Sequence, residues 1–257
     1  MNINYIILIM SQNIPKTELL FKKSKPIDML NVSDGIALMT KEQKNAASEI
    51  KKASKSIELS INKIYKHLTK NPNSRLIYVG AGTSARIGVQ DGVELLPTFN
   101  WPKNRFDFII AGGKKALLNA VENAEDNLIE AKKAVSKKLI NSYDVVIGLA
   151  ASGNTPFTCK VLEEANKRGA FTIAISNNPN GKLLNFGKCN IILDTKEELI
   201  SGSTRLKAGT AQKICLNIIS SMVMIRMGKV KNGTMNHMVP TNQKLRKRKL
   251  RIDKQQF

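Results

Sequence analysis

Histidine is nearly absent from this chain: His67 and His237 are the whole supply, and the three cysteines, Cys159, Cys189 and Cys215, lie far apart. Neither set has metal-ligand spacing, and no HExxH or CxxC occurs, so no metal and no metal-dependent step is indicated. An odd, scattered cysteine set also argues against a disulfide framework and for a reducing compartment. Aromatic residues are scarce, and none interleaves with the one dense basic run, Lys244-Leu245-Arg246-Lys247-Arg248-Lys249-Leu250-Arg251. That run lacks the stacking platform of a single-strand nucleic-acid binder and reads as a solvated helix face or tail. Acidic residues are few as well, 20 against 41 lysines and arginines. The excess is spread along a chain rich in lysine, asparagine and isoleucine together, which reads as a genome's compositional bias rather than a nucleic-acid-binding face.

Long apolar runs are missing too. Residues 5–10 are apolar, but no lysine or arginine precedes them and the run is shorter than a signal h-region. No later segment approaches the ~20 apolar residues of a membrane span. A cytoplasmic location without a membrane partner is expected, and the first nine residues, ahead of Met10, are expected to be dispensable.

What the chain does hold is a pair of strand-like runs, each breaking into a loop rich in glycine and hydroxyl groups. Gly80-Ala81-Gly82-Thr83-Ser84 follows the run 75–79, and Ala151-Ser152-Gly153-Asn154-Thr155-Pro156 follows 144–150. Each loop opens into a helical pattern whose first turn offers unpaired backbone N–H groups, an anion-attracting arrangement. Thr83, Ser84, Ser152 and Thr155 add neutral donors suited to a phosphate monoester. The first loop also fits a loose dinucleotide fingerprint. That reading needs an acidic residue ending the next strand, and the nearest candidate, Asp107, falls inside a strand-like run.

Residues 14–40 read as an irregular arm, interrupted by Pro15, Pro26 and Gly35. From 41 to 69, Ile50, Ala53, Ile57, Ile61, Ile64 and Leu68 recur at steps of three and four, which predicts one long amphipathic helix. Strands are expected at 75–79, 106–110, 145–150, 170–175 and 190–193, with helices near 85–95, 114–138 and 156–168. This alternation predicts an α/β fold with a five-stranded parallel sheet covered by helices on both faces. The last expected helix follows Ser201-Gly202-Ser203-Thr204-Arg205-Leu206-Lys207, with Ser203 or Thr204 as its N-cap and a cation nearby.

The segments 76–91, Pro97-Thr98-Phe99, Ile110-Ala111-Gly112-Gly113, 121–126, 151–157 and 201–213 together closely resemble the N-acetylmuramic acid 6-phosphate etherases, which carry a sugar isomerase (SIS) domain. The resemblance covers roughly residues 40–252. It implies a SIS-type three-layer fold, divided here into an N-terminal helical arm (1–40), a sugar phosphate-binding domain (41–230) and a short basic C-terminal segment (231–257). It implies a cytoplasmic homodimeric lyase, without cofactor, that removes the D-lactyl ether of its substrate in amino sugar recycling. Glu94, in an otherwise apolar stretch, would be the proton donor and Glu125 the partner base, working from environments that separate their acidities. Gly82, Thr83, Ser84, Ser152, Gly153, Asn154, Thr155, Ser203, Thr204 and Lys207 would bind the substrate, a small sugar phosphate.

The chain departs from the family at Ala85, where glycine is usual, and at Asn154, where arginine is usual. It also stops at Phe257, where the family continues into a small helical domain, so a C-terminally shortened member is expected. The second reading is a non-catalytic sugar phosphate-binding regulator or a decaying enzyme; a pure sensor has no need of both glutamates. Glu94 lies about ten residues beyond Ser84, about 15 Å along a straight helix, too far for one small sugar phosphate unless the chain folds back or a neighbouring subunit completes the site.

Overall fold

A computed structural model describes residues 14–235, 237–240 and 243–255. The apolar run at 5–10 lies outside the described residues. Helix α1 spans Val32–Lys52, nine residues ahead of the expected start. The Asn31 side chain accepts a hydrogen bond from the Asp34 N–H at 2.9 Å and caps it. Gly35 does not interrupt this helix; its Cα faces open space and costs only propensity. The long helix expected over 41–69 breaks at Ala53 (φ −83°, ψ 2°) and resumes as α2, Ser54–Lys70. The apolar stripe itself is as expected: Ile50, Ala53, Ile57, Ile61, Ile64 and Leu68 are all buried in one cluster.

Five parallel strands follow: β1 Leu76–Gly80, β2 Phe106–Ile110, β3 Val145–Ala150, β4 Phe171–Ser176 and β5 Cys189–Ile192, in the order β2-β1-β3-β4-β5. The pleat distributes their side chains to two cores. Tyr78, Ile147 and Ile175 enter the cluster shared with α1 and α2, while Ile77, Val79 and Val146 enter the opposite one. Between β1 and β2 run α3, Gly82–Val93, and the short α4, Leu95–Phe99. Between β2 and β3 the expected helix 114–138 is only α5, Leu128–Lys137; ahead of it come 3₁₀ turns at Gly113–Leu117 and Ala124–Asp126 joined by irregular chain. The left-handed backbone of Gly112, Gly113 and Asn123 breaks the helical path there. Helix α6, Pro156–Lys167, begins with proline at its first position, where a missing N–H costs nothing.

Helix α7, Lys207–Arg226, packs against α1, α2 and α3. By length and composition it could cross a membrane, contrary to the sequence expectation, but 56% of its apolar window is buried inside the fold. That burial makes it a central core helix. The basic run lies in α8, Gln243–Gln255.

Candidate active site

The two hydroxyl loops leave the carboxyl ends of β1 and β3, which are hydrogen-bonded neighbours with Gly80 opposite Leu149. The chain passes from β1 outward to β2 and returns on the other side of β1 as β3, so the crevice between these loops is the topological switch point, where open α/β sheets bind ligands. Gly80 lets the first loop turn tightly: a Cβ there would lie 2.9 Å from the Ala85 nitrogen. Ser84 is buried and Thr83 half-buried. In the second loop Gly153 has φ +72°, and a Cβ would meet the Gly181 Cα at 2.5 Å.

The Ser201–Thr204 turn joins this crevice. A Cβ on Gly209 would lie 3.3 Å from the Thr83 methyl and 3.2 Å from the Thr204 carbonyl. The connection is made by two buried residues that sequence reasoning missed, Asn177 and Asn178, just past β4. Asn178 Nδ2 donates to the Ser152 carbonyl at 3.2 Å, tying down the second loop. Asn177 Nδ2 donates to the Leu193 and Ala208 carbonyls, and its Oδ1 accepts from Gln212 Nε2 at 2.9 Å. Asparagines ending an apolar strand were the signal available, and they read locally as turn residues.

The start of α7 differs from expectation. Neither Ser203 nor Thr204 caps it. The Glu198 carboxylate, buried, accepts from the Lys207 and Ala208 N–H groups at 3.0 and 2.8 Å. Burial pushes the Glu198 carboxyl above the usual range, against the lowering pull of these two N–H groups. Lys207 is also buried, its ammonium donating to Glu42 Oε2 at 2.8 Å and to the Glu197 carbonyl at 2.9 Å. It clamps α1 to α7 and does not face the crevice as a ligand group would. Asn154 is likewise engaged: its Oδ1 accepts the Lys182 N–H at 3.0 Å. An arginine, having no acceptor, could not make that bond.

Glu125 sits in the 3₁₀ turn Ala124–Asp126 rather than on a helix face, exposed, in a cavity of about 390 Å³ that Ala81 and Gly82 of the first loop also line. Gly112 makes room for this turn, since a Cβ there would press on Val121 at 2.9 Å. Arg86, overlooked in the sequence, donates from α3 to the carbonyls of Ala116, Leu117 and Asn119 and holds the approach to it.

Glu94 lies at the bend between α3 and α4 and is exposed, not enclosed by the apolar neighbours that its sequence context suggested. It lines a second cavity of about 320 Å³ with Asp91, Thr98, Lys213 and Asn217. Asp91 is buried and accepts hydrogen bonds from Tyr78 Oη, Asn217 Nδ2 and Ser220 Oγ at 2.8, 2.6 and 3.1 Å. Burial, then the Asp91 charge, holds the Tyr78 phenol well above its ordinary value. Glu94 and Glu125 thus line separate cavities of one protomer. Asp107, the acid a dinucleotide site would need, lies inside β2 and is paired with Lys138 Nζ at 2.6 Å. Among the described residues no three His, Cys, Asp or Glu side chains gather as metal ligands do.

The chain is similar to the N-acetylmuramic acid 6-phosphate etherase of Deinococcus radiodurans, 41% identical over 92% of this chain and 77% of the relative. The Mycoplasma mycoides protein of the same name is 40% identical over 93% and 79% of the two chains. This chain belongs to the N-acetylmuramic acid 6-phosphate etherase family. Residues 125–222 match the SIS domain model, and residues 57–166 match the model of the glucokinase regulatory protein N-terminal SIS domain. Among solved structures, a phosphoheptose isomerase from Francisella tularensis has a TM-score of 0.60 at 20% identity, covering 76% of this chain and all of that one. That likeness shows the SIS-type fold of the etherase chain and nothing finer.

Proposed function

We infer that this protein is a carbon–oxygen lyase that converts N-acetylmuramic acid 6-phosphate into N-acetylglucosamine 6-phosphate and D-lactate. Family membership across nine-tenths of the chain is the observation that carries this reading. The switch-point crevice, with its glycine loops and neutral hydroxyls, supports a phosphate anchor there. Thr83, Ser84, Ser152 and Thr155, with Ser203 and Thr204 at the rim, hold the 6-phosphate, and Gly82 and Gly153 let the backbone close on it. Asn154 serves as a brace for the second loop rather than as a charged ligand group.

In the open-chain aldehyde, the carbonyl acidifies the C2 proton. Glu125, beside the first loop, takes that proton; the electron pair forms an enolate and then expels the C3 ether oxygen. Glu94 gives its proton to that oxygen, releasing D-lactate and leaving a C2–C3 double bond. Water adds at C3, its proton returning to Glu94, while C2 regains a proton from Glu125. Because the first phosphate loop and Glu94 sit at opposite ends of α3, Glu94 comes from a second copy, and the working unit is a homodimer. Incubation with N-acetylmuramic acid 6-phosphate while D-lactate is followed tests the activity. Glu94→Gln or Glu125→Gln should lower release about 100- to 10,000-fold without altering thermal unfolding. Binding without any release by the unaltered protein would instead support a sugar phosphate sensor.

A further inference from the structure

The cavity that holds Glu94 has two charged groups with no task in the mechanism above, Asp91 and Lys213. Lys213 lies on α7, six residues past Lys207, and the two lysines differ in burial and in partner. Lys207 is buried against Glu42, whereas Lys213 is exposed and lines the cavity with Glu94. The recorded partner of the Lys213 ammonium is neutral, the Oδ1 of Asn217. Asn217 is fixed in turn, because its Nδ2 donates to the buried Asp91 carboxylate at 2.6 Å. Tyr78 Oη and Ser220 Oγ donate to the same carboxylate, so the negative charge of Asp91 is already satisfied by neutral donors. An oriented ammonium is left on the cavity wall, the one cation among the described residues that line it.

On the reading of the reaction given above, the substrate carries two anionic groups. The phosphate belongs to the switch-point crevice. The other is the carboxylate of the lactyl group, attached to the carbon that bears the ether oxygen Glu94 protonates. Whichever group protonates that oxygen must lie near the carboxylate, and Lys213 shares a cavity with Glu94. We propose that Lys213, held by the Asn217–Asp91 relay, binds the lactyl carboxylate and selects the lactyl ether over sugar phosphates that lack it. An ammonium–carboxylate hydrogen bond is among the stronger contacts available to a site of this kind.

The test is calorimetric titration in the Glu125→Gln background, where substrate binds without being consumed. Lys213→Met should weaken N-acetylmuramic acid 6-phosphate about 10- to 100-fold, the usual worth of a charge-assisted bond. It should leave the affinity for N-acetylglucosamine 6-phosphate, which has the phosphate but no carboxylate, unchanged. Lys213→Arg should retain most of the preference. An unchanged affinity for the lactyl ether, or an equal loss for both sugars, overturns the proposal. Since Lys213 is exposed, the variant folds, and an unaltered thermal transition verifies that. The lyase reading fails separately: absence of D-lactate release by the unaltered enzyme sinks it, while the binding preference still decides the role of Lys213.

Discussion

Burial pushes the Cys159 thiol up to about 11 and the Cys215 thiol up to about 12, and raises that of Cys189 as well. Thiols so held are protonated and weakly nucleophilic, so iodoacetamide at about pH 8 should label none of the three in the native protein and all three after denaturation. Intact mass measurement distinguishes the two. The same shifts set a direction for alkaline stability. The unfolded thiols ionise near ~8.5 while the folded ones keep their protons, so the folded state binds more protons above that value. Stability from this source is whole below about pH 8.5 and is lost as the pH rises through about 11 and 12, which urea titrations at rising pH will trace. Lys207 offers a second check at this scale. Lys207→Met strands the buried Glu42 carboxylate and should cost about 3 kcal/mol in urea unfolding. Pairing it with Glu42→Leu should recover part of that loss, the outcome for a structural clamp and not for a ligand contact.

At the scale of elements, loop geometry governs the site more than helix or strand propensity does. Gly153→Ala would force a side chain into left-handed backbone against Gly181, and about 2–3 kcal/mol of destabilisation with weakened substrate binding is expected, read by thermal unfolding and KM. The five strands were legible because apolar runs in a sheet covered on both faces are continuous, and both hydroxyl loops were legible because glycine and hydroxyl residues punctuate them. Less legible was whatever depends on partners distant in the chain. The helix expected over 114–138 carries a plausible apolar spacing, yet Arg86 and Gly112 hold its first half in 3₁₀ turns that carry Glu125 to the first loop. Likewise Ser203 and Thr204 looked like the cap of α7, and the cap is a carboxylate further back, Glu198, brought in by a loop. The early start of α1 was hidden by Gly35, whose cost is small when the position faces water.

For the whole molecule, the separation of Glu94 from Glu125 has a measurable consequence. If each site takes one glutamate from each subunit, Glu94→Gln and Glu125→Gln homodimers are both inactive, but a mixed dimer contains one intact site. Re-equilibrating equal amounts of the two variants should restore roughly a quarter of the original D-lactate release, since half the dimers are mixed and each has one working site. No recovery, in a mixture shown by mass to exchange subunits, would place both glutamates of a site on one chain.

The N-terminal arm also reaches the site's margin. Lys16 pairs with Asp194 at 2.8 Å, Lys23 pairs with Glu197 at 2.7 Å, and the Phe21 N–H donates to Ser201 Oγ at 3.3 Å. Lys16 and Asp194 are 178 positions apart. During synthesis the arm therefore leaves the ribosome long before its anchorage exists, and every strand of the sheet is made first. A loop closure of that length is costly in entropy, and its docking is expected to follow formation of the sheet. The margin next to Ser201 is thus fastened by ion pairs that dissolved salt weakens before it disturbs the core, so raising the salt should loosen the arm ahead of the sheet.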